Sequence, residues 1–323
     1  MNINRAVIMS TPPSVATVIV NYNGKKDTLN CLRSLVKSEY PYLELLVIEN
    51  CSPIKEERMT PGDLMEFPGV HLVRLEYNSG FSGGMNIGMT KAIEIGCRYA
   101  LILNNDTTIE PRCISELVET AEHNLDTACV SPLIFEMGEP KTIQSAGGRI
   151  GRLTRQHRYS KTVPCDSQDG PYETELCTGA AMLVRLDCVA RFGGFDENLF
   201  LQSEDADFSL RMRREGFRLL VEPRAHVRHR IGGSMGNRMS SVMVFFAVRN
   251  YFIVTRRHST KFEFVLASFV FGATYLPFLV ATFVLTNRSS LVRPLVLAIM
   301  WHIGYHRSEP NHRFVTDLSE KQG

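Results

Sequence analysis

The chain predicts an α/β fold: a mostly parallel sheet flanked by helices, with an apolar helical appendage at its C-terminal end. Three observations carry that prediction. Short β-branched runs alternate with amphipathic stretches of about a dozen residues. The runs are apolar on both faces, as strands covered on two sides must be. And one charge-free stretch, 264–285, lies near the end of the 323 residues.

"VATVIVNYNG" is a buried strand halted by turn residues, and "KKDTLNCLRSLVKS" then sets Leu29, Leu32, Leu35 and Val36 on one helical face. "YLELLVIEN" and "VHLVRLEYN" read as the second and third strands, and "SGGMNIGMTKAIEIG" as a loop turning into a helix. "YALILNND" is the fourth strand. Pro111 then opens a helix with Ile114, Leu117, Val118 and Ala121 at helical spacing. "TACVSPLIF" is the fifth strand. The polar, irregular segment 135–175 reads as one long loop, of the kind that is functional or mobile. "LCTGAAMLVRL" is strand-like, "SEDADFSLRMRREGF" helical, and "FRLLVEPRAHVRH" a further strand. Residues 264–285 are long enough to span a membrane but are interrupted by Gly272 and Pro277. A buried core helix and a single span compete with the favoured reading, one or two interfacial or re-entrant helices.

Composition is ordinary for a globular chain, with 44% hydrophobic and 22% charged residues and a net charge of +2. That balance gives no reason to expect nucleic acid as a partner. The charge is uneven, however. From His226 onward twelve Lys/Arg face four Asp/Glu, a net of +8, which leaves −6 on the rest. A basic, apolar tail suits an anionic membrane surface. The eight cysteines are scattered without a C-x-x-C pair, which argues against a zinc site. With no secretory h-region at the start they read as reduced cytosolic thiols, and the sequons at Asn105 and Asn287 as chance.

In sheets of this class ligands bind at the carboxyl ends of strands, and "NYN", "ENCS" and "NND" all fall at such ends. A carboxylate there, Asp106, can hold a divalent cation against a diphosphate; a polar strand exit is the plainer alternative. "NSGFSGGMNIG" offers glycines at a helix start, where an anion is favoured. His226 and His229 face opposite sides of their strand, and either is open to a ligand role or an ordinary hydrogen bond. Glu204, Asp205 and Asp207 crowd into one helical turn behind Ser203, a plausible cap. They read as acids matched to a helix dipole or as a general base with its pKa raised by like charge.

Seven segments in order, "TVIVNYNG", "LLVIENCS", "NSGFSGGMNIG", "LILNNDT", "CTGAAMLVR", "GGFDENLFLQSEDADFSLRMRREGF" and "VRHRIGGS", resemble the inverting family 2 glycosyltransferases, in particular their rhamnosyltransferase-like branch. The resemblance implies a GT-A fold, a Rossmann-like mostly parallel sheet, over 15–257. It leaves 1–14 as a tail and 258–323 as a membrane-associating region. It implies transfer of a sugar, with rhamnose the candidate, from a nucleoside diphosphate sugar to a lipid-linked or cell-envelope glycan on the cytoplasmic side of the membrane. Tyr22, Asn23, Glu49, Asn78, Asn86, Asn104 and Asn105 fall where relatives hold the nucleotide sugar. Asp106 and His229 match the ligands of Mg2+ or Mn2+, with Asn104 standing in place of the first acid of the usual Asp-x-Asp. Asp205 matches the general base, and Glu204, Asp207 and Gly179 its acceptor-side surroundings. "AVRNYFIVTRRH" resembles the Arg-Asn segment that precedes an apolar C-terminal region in these enzymes. The alternatives are a nucleotidyltransferase, for which "NYNGKKDT" is a poor phosphate-binding signature, and a non-catalytic binding module.

Overall fold

Alternating burial along the first strand decides how the layers form. The computed structural model describes residues 11–138, 142–165, 167, 170–230, 240–304 and 311. The glycine-serine end of the motif after His229 and most of the tail beyond 304 lie outside the described residues. In β1 (Val15–Asn21), Val15 and Ile19 pack with Cys31, Leu32 and Leu35 of α1 (Lys25–Leu35). Ala16 and Val18 face the other way, toward helix α2 (Gly80–Glu94), which follows β2 (Leu43–Glu49) and β3 (Val70–Arg74). The glycines read as a loop are thus largely inside α2. Gly88 shows why: a Cβ there would collide with Val18 Cγ1, so the helix lies directly on the sheet.

Then come β4 (Tyr99–Asn104), β5 (Thr107–Ile109), α3 (Cys113–His123) and β6 (Thr127–Glu136). The segment expected to be one loop contains β7 (Ile143–Ser145), a separate hairpin of β8 (Gly148–Ile150) and β9 (His157–Tyr159), and β10 (Tyr172–Glu173). β11 (Ala181–Arg185), α4 (Leu186–Phe192), α5 (Glu204–Arg214) and β12 (Arg218–His229) complete the sheet region. The strand order is β10-β12-β6-β11-β4-β1-β2-β3, with β5 on β12 and β7 on β6. β12, β6, β4, β1, β2 and β3 all run one way, and β11 runs antiparallel between β6 and β4. Helices α1 and α3 cover one face, and α2, α4 and α5 the other. One consequence matters for the site: the carboxyl ends of β4 and β12 and the amino end of β11 meet on the same edge.

Beyond the sheet lie α6 (Ser241–Arg257), α7 (Lys261–Leu285) and α8 (Val292–Trp301). Ser240 caps α6 and a Thr260–Glu263 capping box starts α7. α7 is not broken at Gly272 and Pro277. A π-helical turn, Phe271–Tyr275, precedes the proline and takes up the missing N–H and ring clash within one continuous helix. Its inner face packs Phe271 and Phe283 with Phe245, Phe246 and Tyr251 of α6 and Leu295 of α8. Its outer face leaves Phe262, Val265, Phe269, Phe278 and Leu285 exposed.

Candidate active site

The first polar cluster grows from the ends of β1 and β2. Asn21, fully buried and not singled out in the sequence, donates through Nδ2 to Glu49 Oε2 (2.5 Å) and to the Glu57 carbonyl (3.0 Å). Glu49 also accepts from the backbone N–H groups of Ser52 and Met59, both at 2.8 Å. Its carboxylate shapes the loop after β2, and both its oxygens are engaged by the protein. Asn105 is likewise committed, donating to the Gly24 carbonyl and Thr28 Oγ1 at 3.2 Å, which fixes the start of α1. Asn86 accepts from Phe195 N–H and donates to the Phe195 carbonyl and Glu197, tying α2 to the segment before α5. Tyr22, Asn23 and Asn78 stay only partly buried. Asn78 Oδ1 accepts from Asn50 Nδ2 (3.0 Å) and Gly80 N–H (2.9 Å) at the α2 N-terminus. Burial pushes the Tyr22 phenol up, and a hydrogen bond with Asn78 opposes that.

The second cluster joins β4 to β12. Asp106 Oδ1 lies 3.1 Å from His229 Nε2, and Asn104 Nδ2 lies 3.3 Å from the same nitrogen. His229 Nδ1 meets Gln144 Oε1 at 2.9 Å. With the Nδ1 proton given to Gln144, Nε2 turns a lone pair toward a carboxylate, the orientation of a histidine prepared for a cation. One carboxylate and one imidazole on adjoining strand ends suit a hard divalent ion that takes its remaining ligands from phosphate and water. Among the described residues no third His, Cys, Asp or Glu joins them. The donor set therefore fits an ion completed by a substrate. His226, by contrast, pairs with Glu110 and the Pro223 carbonyl on the other side of the strand.

The third cluster is built on α5. The loop leading into it is strained, with left-handed φ at Phe200 (62°), Gln202 (74°) and Ser203 (70°). This backbone turns Ser203 so that its side chain makes no cap hydrogen bond, against the expectation from sequence. Asp205 Oδ2 accepts from Tyr159 O–H (2.9 Å) and Gly179 N–H (2.8 Å), and Oδ1 from Ala206 N–H (2.7 Å). A Cβ on Gly179 would lie 3.3 Å from the Phe81 ring and 3.5 Å from Asp205 Cβ, so a larger residue would crowd this approach. Burial first, and the Asp205 charge second, raise the Tyr159 phenol well above its ordinary value, so it remains a donor. His157 is held below the ordinary imidazole range, mainly by burial, with the Asp205 charge opposing that.

The neighbouring acids separate in an unexpected way. Glu204, 6% exposed, faces the same cavity as Asp205, and its Oε2 has no hydrogen-bond partner. Burial and then the Asp205 charge push its carboxyl up to about 8, so it is mostly neutral at pH 7. Asp207, expected on the acceptor side, instead turns inward. It is fully buried against Arg211 (2.9 Å), Arg257 (2.7 Å) and His258 (2.9 Å). Burial alone would raise it, but the His258 hydrogen bond and the two guanidinium groups win and hold it at about 2. Helix α6 also grips the strained loop. Asn250 Nδ2 donates to the carbonyls of Leu199, Leu201 and Gln202 at 2.8, 2.9 and 2.7 Å, and Arg249 donates to those of Asn198 and Leu199.

A cavity of about 650 Å³ connects these parts. Asn104, His229, Tyr159, Glu204 and Asp205 line its polar side. Val248, Tyr251, Phe271, Leu279 and Phe283 line an apolar side made by α6 and α7. Tyr22, Asn23 and Asn78, expected at the nucleotide, are outside this lining. Tyr159, His157, Gln144 and Asn250 are missed by sequence reasoning. Only the Arg-Asn pair carried a signal.

The description "Glycosyl transferase family 2" matches residues 16–171, and "Glycosyl transferase family group 2" matches residues 99–305. The chain is 21% identical over 276 residues to the dTDP-rhamnosyl transferase RfbF of Shigella flexneri, covering 83% of this chain and 89% of that one. It is 32% identical over 220 residues to the N-acetylglucosaminyl-diphospho-decaprenol L-rhamnosyltransferase of Mycobacterium tuberculosis, covering 61% of this chain and 70% of that one. The fold is similar to that of GalNAc-T7, crystallised with UDP, GalNAc and Mn2+. That likeness has a TM-score of 0.63 at 18% identity, over 76% of this chain and 48% of that one.

Proposed function

Because the chain belongs to glycosyl transferase family group 2, we propose that it moves a sugar, with inversion, from a nucleoside diphosphate donor to a hydroxyl of a lipid-linked glycan. It is a glycosyltransferase with a GT-A-like fold. The similarity to two rhamnosyltransferases supports dTDP-rhamnose as donor, and the decaprenol in one relative's name supports a lipid-linked acceptor in cell-envelope glycan synthesis.

The observation that carries the mechanism is the setting of Asp205. Three donors hold its carboxylate rigid at the cavity wall, yet Oδ1 accepts only one of them and keeps a lone pair free. An acceptor hydroxyl placed there gives its proton to Oδ1 as its oxygen attacks the anomeric carbon. The bond from that carbon to the diphosphate oxygen breaks on the opposite face, and the nucleoside diphosphate leaves with the bonding electrons. One displacement inverts the centre. Glu204 is mostly neutral near pH 7, so it offers no second carboxylate nucleophile beside Asp205. Asp106 and His229 would hold Mg2+ or Mn2+, which when bound neutralises charge on the leaving diphosphate. Tyr22, Asn23 and Asn78 are the partly buried groups suited to the nucleoside end.

Residues 15–257 form the catalytic part in this reading, and 258–323 hold it to the cytoplasmic face of the membrane. Support comes from α7, whose most apolar window has a mean hydropathy of 2.0 and is only 11% buried. The test is Asp205→Asn. Transfer should fall by about 10³-fold or more while donor affinity, measured by calorimetry, stays within about twofold. Unchanged turnover would remove Asp205 from the role of base.

A further inference from the structure

The β8–β9 hairpin carries charge that the proposed reaction does not use. Residues 147–161 include Arg149, Arg152, Arg155, Arg158 and Lys161 and no acid. Arg149 and Arg158 stand directly opposite one another in the two-stranded ladder. Like charges in that position destabilise a hairpin. Both are exposed, as is Arg152 in the turn, and no carboxylate among the described residues pairs with any of the three. Such an arrangement is relieved by an anion that comes from outside.

Strand alternation separates the two faces. Ile150, His157 and Tyr159 fall on the face opposite Arg149 and Arg158. His157 and Tyr159 line the cavity and Tyr159 holds Asp205, so the arginine pair looks away from the reaction. A diphosphate in the active site is therefore on the wrong side. The turn is pinned to α6 and its C-terminal cap, just ahead of α7: Tyr251 O–H donates to the Thr154 carbonyl (2.7 Å), and Arg155 Nη2 to the His258 carbonyl (2.7 Å). Arg155 also lies 3.8 Å from Glu263 in the first turn of α7. Next to that junction α7 exposes Phe262 (75%) and Val265 (65%), and the hairpin tip exposes Leu153 (63%).

We infer that the outer face of the β8–β9 hairpin docks on the anionic phospholipid headgroups of a bilayer, beside α7, while its inner face holds the base. The inference rests on the reading of α7 as a membrane-associating helix. It adds a charge-reading element that the apolar helix alone does not supply. Because Tyr159 belongs to the same hairpin, docking would also steady Asp205.

The test is co-sedimentation of the full chain with vesicles of phosphatidylcholine, or of equal parts phosphatidylcholine and phosphatidylglycerol. Wild type should bind both and prefer the anionic ones. Arg149→Gln with Arg158→Gln should weaken binding to anionic vesicles about thirtyfold, roughly fivefold per arginine, and leave binding to neutral vesicles unchanged. Its melting temperature should hold or rise as the repulsion is removed. If that pair fails to fold, Arg152→Gln in the exposed turn should give about a fivefold loss. An unaltered anionic preference in either variant, with neutral binding intact, overturns the hairpin's role and leaves that of α7 standing. Wild type binding neither vesicle removes the membrane reading and this inference together. A thermal shift with inorganic pyrophosphate that needs both arginines, without any vesicle preference, reassigns the face to a soluble diphosphate and overturns the proposal.

Discussion

Replacing Glu204 with glutamine isolates the consequence of burying an acid beside Asp205. The folded carboxyl titrates at about 8, raised first by burial and then by the Asp205 charge, against an ordinary value of 4.5. Between those two pH values the native state keeps a proton that the unfolded chain releases. Stability must then fall as pH rises from 4.5 toward 8, and level off above. One proton gives a slope of ~1.4 kcal/mol per pH unit, so the loss accumulated by pH 7 is ~3 kcal/mol. Glutamine keeps the shape and cannot ionise. Glu204→Gln should therefore lose none of this stability over the range and gain ~3 kcal/mol on wild type between pH 4.5 and 7. Unmet hydrogen bonds of the new amide add a constant offset, so the slope is the decisive quantity. Urea unfolding followed by circular dichroism from pH 4.5 to 8.5 measures it. A wild-type-minus-variant difference that stays flat with pH would refute the reasoning, because Glu204 would then be ionised in the fold throughout.

Asp207 has the opposite sign. Its folded value of about 2 lies below the ordinary 3.8, so its stabilisation is present above pH 4 and is lost as pH falls through 2. Asp207→Ala should destabilise by ~3–5 kcal/mol, because it leaves Arg211 and Arg257 facing an emptied site, and acid unfolding of the variant should shift to show it. Tyr159→Phe removes one charge-assisted donor from Asp205 and should lower kcat about tenfold with the donor KM unchanged; a change confined to KM would contradict this. Asn250→Ala frees three carbonyls of the strained loop and should lower kcat about thirtyfold while calorimetry still finds donor bound. His229→Ala should abolish the manganese dependence of nucleoside diphosphate binding, read by thermal shift with and without the ion.

The sheet was legible because strands buried on both faces leave a periodic trace, and because polar residues at their ends mark the binding edge. Strand alternation put His226 and His229 on opposite faces, and the resemblance, not the alternation, singled out His229. The acids of α5 were not separable in this way. Glu204 and Asp207 look alike in one turn, and what distinguishes them is Arg257 and His258, some fifty residues downstream. Asn86 and Asn105 are similar cases: their residue types suit a ligand, but backbone groups far along the chain occupy them, while Glu49 is taken up by the loop that follows its own strand. Tyr159 and Gln144 escaped notice because they sit in short strands within a polar stretch that has no periodicity to read.

The grip of Asn250 on the loop before α5 also sets an order of events in time. The loop carbonyls at 199–202 precede their clamp by about fifty residues. During synthesis the sheet strands and the whole carboxylate segment are made before the side chain that fixes the loop. A nascent or truncated chain ending before α6 would carry Glu204, Asp205 and Asp207 and still hold them behind an unfixed loop. The loop is fixed only once α6, the helix that leads into the apolar α7, has been made.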